Sequence, residues 1–132
     1  MIIRTTADIT GTERDVQSPD GQWRNKRIVL GGDRVGFSLH ETTIEPGTVN
    51  DFHYANHVEA VWLLEGTGEL LDKETGVRYR VGPGSMYLLD GHERHRLTAD
   101  ERMRMICVFN PPVTGTEVHD ENGVYPLVEV LD

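Results

Sequence analysis

Short runs of β-branched, aromatic and aliphatic residues recur along the whole chain, and glycine or proline closes nearly every one. Arg27–Leu30 stops at Gly31-Gly32, Gly36–Ile44 at Pro46-Gly47, Val58–Leu64 before Gly66-Thr67-Gly68, and Glu69–Leu71 before Lys73-Glu74-Thr75-Gly76. Val77–Val81 runs into Gly82-Pro83-Gly84, and Met86–Leu89, Arg94–Leu97 and Met103–Phe109 complete the series. Runs of this length separated by turn residues predict an all-β antiparallel sandwich or barrel. Only Thr6–Val16 suggests a helical turn, which Gly11 weakens. From Asn110 onward, Pro111-Pro112 and the stretch Thr114–Tyr125 predict an irregular tail packed over the domain, placed to act as a lid, because prolines stop strands.

The 132 residues fit a single domain, residues 1–132, large enough to bury roughly two-thirds of the surface its unfolded form exposes. Thirteen basic against 22 acidic residues leave a net charge of −9, so the surface field repels nucleic acid and anionic lipid. No stretch approaches the ~20 apolar residues that span a bilayer, and Met1-Ile2-Ile3-Arg4-Thr5-Thr6 lacks a secretory layout, so a cytoplasmic protein is expected. The one cysteine, Cys107, cannot form an internal disulfide, which agrees with a reducing compartment.

Two segments carry most of the chemistry. The first reads Gly47-x5-His53-x-Ala55-x3-Glu59-x6-Gly66, the second Gly84-x5-Asp90-x-His92-x2-His95. Alternation along an extended chain puts His53, Ala55, His57 and Glu59 on one side, so His53 and Glu59 are expected to share a cavity. Tyr87 and His95 then approach that cavity from a neighbouring strand. Imidazole and carboxylate suit iron, zinc, manganese or nickel, and a phenolate favours a Lewis-acidic, iron-type ion. Ala55 stands where a second histidine ligand is expected, so Tyr87 is either a core aromatic with its hydroxyl satisfied or the further donor the metal needs. His57 and His92 fall on no ligand position and are read as surface or supporting groups.

Other residues have a plain reading beside a functional one. Cys107 and Phe109 share a strand face and belong either to the core or to a pocket wall. Trp23 and Arg27 are either a surface tryptophan with a solvated charge or a clamp for a small zwitterion, the arginine forking onto a carboxylate and the indole covering an amine. Glu117 and His119 in the tail are either exposed loop polars or proton carriers.

The two segments look like cupin motifs, and the chain resembles the ectoine synthase family nearly end to end. The resemblance runs through Trp23-Arg24-Asn25-Lys26-Arg27, the blocks 36–43 and 54–61, Gly82-Pro83-Gly84-Ser85-Met86-Tyr87, and the stretches 108–115 and 117–127. It implies a single-domain cupin, a jelly-roll-like β-barrel, paired as a homodimer. The implied activity is that of a lyase that cyclises N-γ-acetyl-L-2,4-diaminobutyrate to the osmolyte ectoine with loss of water. It implies an iron (Fe2+) ion held by Glu59, Tyr87 and His95. The implied substrate pocket is Trp23, Arg27, Thr42, Tyr54, Cys107, Phe109, Glu117 and His119, with Tyr54, Glu117 and His119 catalytic. The general cupin pattern is partial, since Asp90, His92 and Ala99 replace its Pro, Gly and Asn. His53 is a reserve ligand or supporting residue.

Two competing readings remain open at this level. One is another cupin metalloenzyme, an Fe(II) dioxygenase or a sugar isomerase, which Ala55 in the ligand run disfavours and O2 uptake would reveal. The other is a non-enzymatic ligand-binding cupin, which would show saturable binding without turnover.

Overall fold

The computed structural model describes residues 1–115 and 123–125. Among the described residues a helical turn, α1 (Thr6–Ile9), precedes ten strands, with a 3-10 turn at Gly31–Asp33 between the second and third. These are β1 (Asp15–Gln17), β2 (Trp23–Val29), β3 (Ser38–Ile44), β4 (Val49–His53), β5 (Val58–Glu65), β6 (Gly68–Asp72), β7 (Arg78–Val81), β8 (Met86–Leu89), β9 (Arg94–Ala99) and β10 (Met103–Asn110). The helical segment is shorter than the expected Thr6–Val16. The Thr5 backbone N–H donates to the Asp8 carboxylate at 2.7 Å, which caps its start, and Gly11 turns the chain away at φ 78°.

The strands form two antiparallel sheets, one of six in the order β1-β2-β3-β10-β5-β8 and one of four in the order β4-β9-β6-β7. This is the expected all-β cupin architecture, built as two facing sheets. Inward positions alternate from Trp23 to Arg27 on β2 and along all of β3, and Ile44, Val61, Leu63, Leu97, Met103 and Met105 fill the space between the sheets. The apolar pattern misses β1 and β4, whose Asp15, Asn50 and Asp51 are poor strand formers held by pairing partners on β2 and β9.

The alternation expected from His53 to Glu59 does not hold. β4 ends at His53 in the four-stranded sheet, residues 54–57 turn, and β5 starts at Val58 in the other sheet. The turn breaks the period of two. Phe52 and Tyr54 therefore line the interior, whereas His53 lies half-buried beside Glu74.

One stretch of the tail is fastened to β4. The His53 N–H donates to the Gly123 carbonyl at 2.7 Å, and Gly123 sits at φ +74° with its Cα so close that a Cβ would fall on the Asp51 carbonyl oxygen. Only glycine meets both conditions.

Candidate functional site

Strand register assembles the site on the inner face of the six-stranded sheet. One transverse row runs Arg27, His40, Cys107, Val61 and Tyr87 across β2, β3, β10, β5 and β8. The adjoining rows place Asn25 opposite Thr42, and Phe109 opposite Glu59. His95 comes from the facing sheet, where it pairs with Phe52. Trp23, Thr42, Tyr54, Glu59, Tyr87, His95, Cys107 and Phe109 thus converge on one interior cavity, together with Asn25 and Tyr125. Of the sequence-derived site residues, Arg27 borders this cavity through Asn25 and Tyr125. Glu117 and His119 lie outside the described residues. The surface readings of Trp23 and Arg27 are overturned: both are buried, Arg27 completely.

The cavity is narrow, with about 20 Å³ of free space. Much of the space is taken by aromatic rings. Tyr54 meets Phe109 edge-on at 5.1 Å and tilts over His95 at 5.6 Å, and Phe52 stacks on Tyr54 at 5.9 Å. Tyr87 and His95 also form part of the wall of an outer cleft of about 520 Å³, lined by Tyr79, Arg80, Met86 and Glu93.

Burial sets the electrostatics. Desolvation raises the Glu59 carboxyl to about 8 against a lowering hydrogen bond from Cys107, and lowers the His95 imidazolium to about 4. The Tyr54 and Tyr87 phenols are pushed well above their ordinary value, mainly by burial and next by nearby Glu59. The His95 Nδ1 lies 3.0 Å from the Glu93 carbonyl and so carries the proton, leaving Nε2 as the lone-pair nitrogen. His57 is not a surface group but is buried edge-on against Phe109 at 5.9 Å. His92 is exposed, at φ 56°, and its Nδ1 bonds the Tyr54 carbonyl at 2.8 Å, holding the 54–57 turn that carries Tyr54.

Sequence reasoning missed Asn25, His40 and Tyr125. Asn25 was within reach of it, since it sits between Trp23 and Arg27 on the same face of one strand. Tyr125 offered no periodic signal.

A two-sheet β-sandwich whose inward polar side chains gather from both sheets is the architecture of a cupin. The comparisons narrow the class. A family model described as ectoine synthase matches residues 1–129. The L-ectoine synthase of Rhodococcus opacus (strain B4) is 72% identical over 130 residues, covering 98% of each chain, and that of Rhodococcus erythropolis (strain PR4 / NBRC 100887) is 73% identical over the same span. A crystal structure of ectoine synthase from P. lautus superposes with a TM-score of 0.86 at 46% identity, covering 100% of this chain and 94% of that one. The polyketide cyclase RemF from Streptomyces resistomycificus shares the fold, with a TM-score of 0.68 at 20% identity over 92% of this chain and 90% of that one. The chain belongs to the ectoine synthase family.

Proposed function

We propose that the chain closes the ring of N-γ-acetyl-L-2,4-diaminobutyrate, with loss of water, to give ectoine. Family membership carries the reaction, and one cavity that gathers Glu59, Tyr87 and His95 beside Trp23, Thr42, Cys107 and Phe109 supports the site. The substrate's α-amine attacks its own acetamide carbonyl carbon, and departure of the former carbonyl oxygen as water leaves a cyclic amidine. An amide is a poor electrophile, so that oxygen needs a positive partner.

The cofactor proposed is Fe2+. Its proposed donors are Glu59, Tyr87 and His95, which line one interior cavity. The donors fit a cation. Glu59 is buried where its charge is costly without one, His95 keeps a lone pair on Nε2, and the Glu93 carbonyl orients that ring from behind. Bound there, the ion would supply Lewis acidity at the amide oxygen.

The chain's own side chains do the rest. The Arg27 guanidinium takes the substrate carboxylate, which turns the amine toward the carbonyl and removes the entropy of a floppy chain. Trp23 and Phe109 wall out bulk water, which favours a dehydration and strengthens local electrostatics. The Tyr54 phenol keeps its proton and serves as a hydrogen-bond donor in the cavity. Glu117 and His119 are proposed to carry protons from the attacking amine and to the departing hydroxyl.

A homodimer is part of the same reading. On β5 and β8, Trp62 pairs with Met86 and Ala60 with Leu88, and Trp62, Met86 and Leu88 are exposed beside the open edge of β8. An apolar face next to an unpaired strand edge is what a second copy would cover. A cytoplasmic location agrees with a buried, unoxidised Cys107.

The deciding assay incubates iron-loaded protein with N-γ-acetyl-diaminobutyrate and follows loss of one water by mass. Formation of the cyclic amidine is expected. Loaded protein that binds the substrate and releases it unchanged would overturn the proposal.

A further inference from the structure

His92 holds a backbone conformation that a side chain disfavours. Among the described residues positive φ falls on nine glycines and on two other residues, Arg34 and His92, the latter at 56°. Glycine would take that angle freely, whereas a β-carbon there meets the backbone. Arg34 closes the 3-10 turn, a place where left-handed residues commonly end a helix. His92 closes no helix, and the bonds of its ring are what offset the strain.

That ring ties together two turns, residues 54–57 and 90–93, each of which carries the chain from one sheet to the other, β4 to β5 and β8 to β9. His92 Nδ1 lies 2.8 Å from the Tyr54 carbonyl oxygen and 3.2 Å from that of His57. Carbonyls only accept, so Nδ1 carries the hydrogen and shares it between the two. The first turn delivers Tyr54 and, at the start of β5, Glu59. In the second, the Glu93 carboxylate accepts the Gly91 N–H at 2.7 Å, and the Glu93 carbonyl accepts the His95 Nδ1–H at 3.0 Å. The Tyr54 and His95 rings meet with centroids 5.6 Å apart, which closes a loop of contacts from His92 through Tyr54, His95 and Glu93 back to His92. A second anchor holds the first turn, the Asn56 Nδ2 bond to the Tyr125 carbonyl at 2.8 Å, so losing the His92 bond loosens that turn without releasing it.

We propose that His92 is a positioning residue whose Nδ1–H latches the two crossover turns together and thereby fixes the spacing between His95 and Glu59. This rests on the metal reading above and adds a determinant of iron affinity that touches neither the ion nor the substrate.

The test compares His92→Gly and His92→Asn with the parent in three measurements: Fe2+ affinity by competition with a chelator, amide hydrogen exchange over residues 54–59 of the metal-free protein, and its urea midpoint. His92→Gly keeps the backbone angle and loses the latch. It should weaken iron binding about 10-fold and speed exchange over 54–59 about 10-fold, while the urea midpoint falls by less than about 0.5 M. Asparagine tolerates the same angle and places its amide nitrogen where Nδ1 stood, so His92→Asn should keep both quantities within about threefold of the parent. Parental affinity and exchange in His92→Gly overturn the inference. So does a His92→Asn protein that fails as His92→Gly does, or a larger fall in the midpoint, which would mark general destabilisation. A parent that takes up no iron overturns the metal reading instead, and the exchange comparison then decides the latch alone.

Discussion

Tyr125 lies stacked on Tyr54, with ring centroids 5.3 Å apart and planes 29° from parallel. Its edge also meets Phe109 at 5.5 Å, and the Arg27 guanidinium carbon sits 5.9 Å from its ring centre. A residue of the tail thus completes the cavity wall, and the roughly 20 Å³ left inside holds little more than a water molecule. A ligand of substrate size fits only when the wall opens, and this ring is part of that wall. Tyr125→Ala should lower stability by about 2–4 kcal/mol in urea unfolding, the usual cost of deleting a buried large side chain. The same change should slow cyclisation at saturating substrate by admitting water. Unaltered turnover would show that the ring has no part in closing the site.

Removing one donor should separate metal binding from folding. Glu59→Gln keeps the shape of the side chain and replaces a carboxyl whose charged form burial disfavours, so the protein should stay folded and unfold no earlier than the metal-free parent. It should hold less than about a tenth of the parent's iron after desalting, and lose more than about 100-fold in activity. His95→Ala should behave alike toward iron. Full metal content in either variant, read by atomic emission, would remove that residue from the ligand set.

Trp62 and Met86 face each other across β5 and β8 on the outer surface. Trp62→Glu combined with Met86→Lys should turn a dimer into a monomer in light scattering while the far-UV spectrum is kept. A dimer that survives both changes must be built elsewhere.

Asp15 gives a pH signature remote from the cavity. The Arg24 hydrogen bonds hold its carboxyl down to about 2. Since the unfolded carboxyl takes up its proton first, near 4, the pair stabilises the fold fully above that pH and its contribution fades as pH falls toward 2. Asp15→Asn should therefore cost about 1 kcal/mol at pH 7 and progressively less in acid. A gap between the two proteins that stays constant from pH 7 to pH 3 would contradict the pairing.

The strands were readable wherever apolar residues alternate, as in β3, β5 and β10, and the same alternation gave Cys107 and Phe109 a shared face, whereas polar residues 24–26 hid the first half of β2. Alternation misled at His53, because a turn over residues 54–57 resets the parity, so that Tyr54 and the expected Glu59 face inward and His53 does not. Distance in sequence hid the rest. Tyr125 lies where no local period marks it, and His95, found through the second segment, enters the cavity from the facing sheet rather than from a neighbouring strand. Asn25 was passed over for a different reason: an asparagine on a strand looks like a solvated polar group until its neighbours are known to be buried.

At Gly123 the tail is registered against β4 by a missing side chain. One added methyl group would collide with Asp51, and the chain would have to back away from the sheet two residues ahead of Tyr125. The contour of the interior cavity is therefore answerable to a position that contributes no side chain to it. Gly123→Ala would shift the wall at Tyr125 while leaving in place every side chain proposed to touch the substrate.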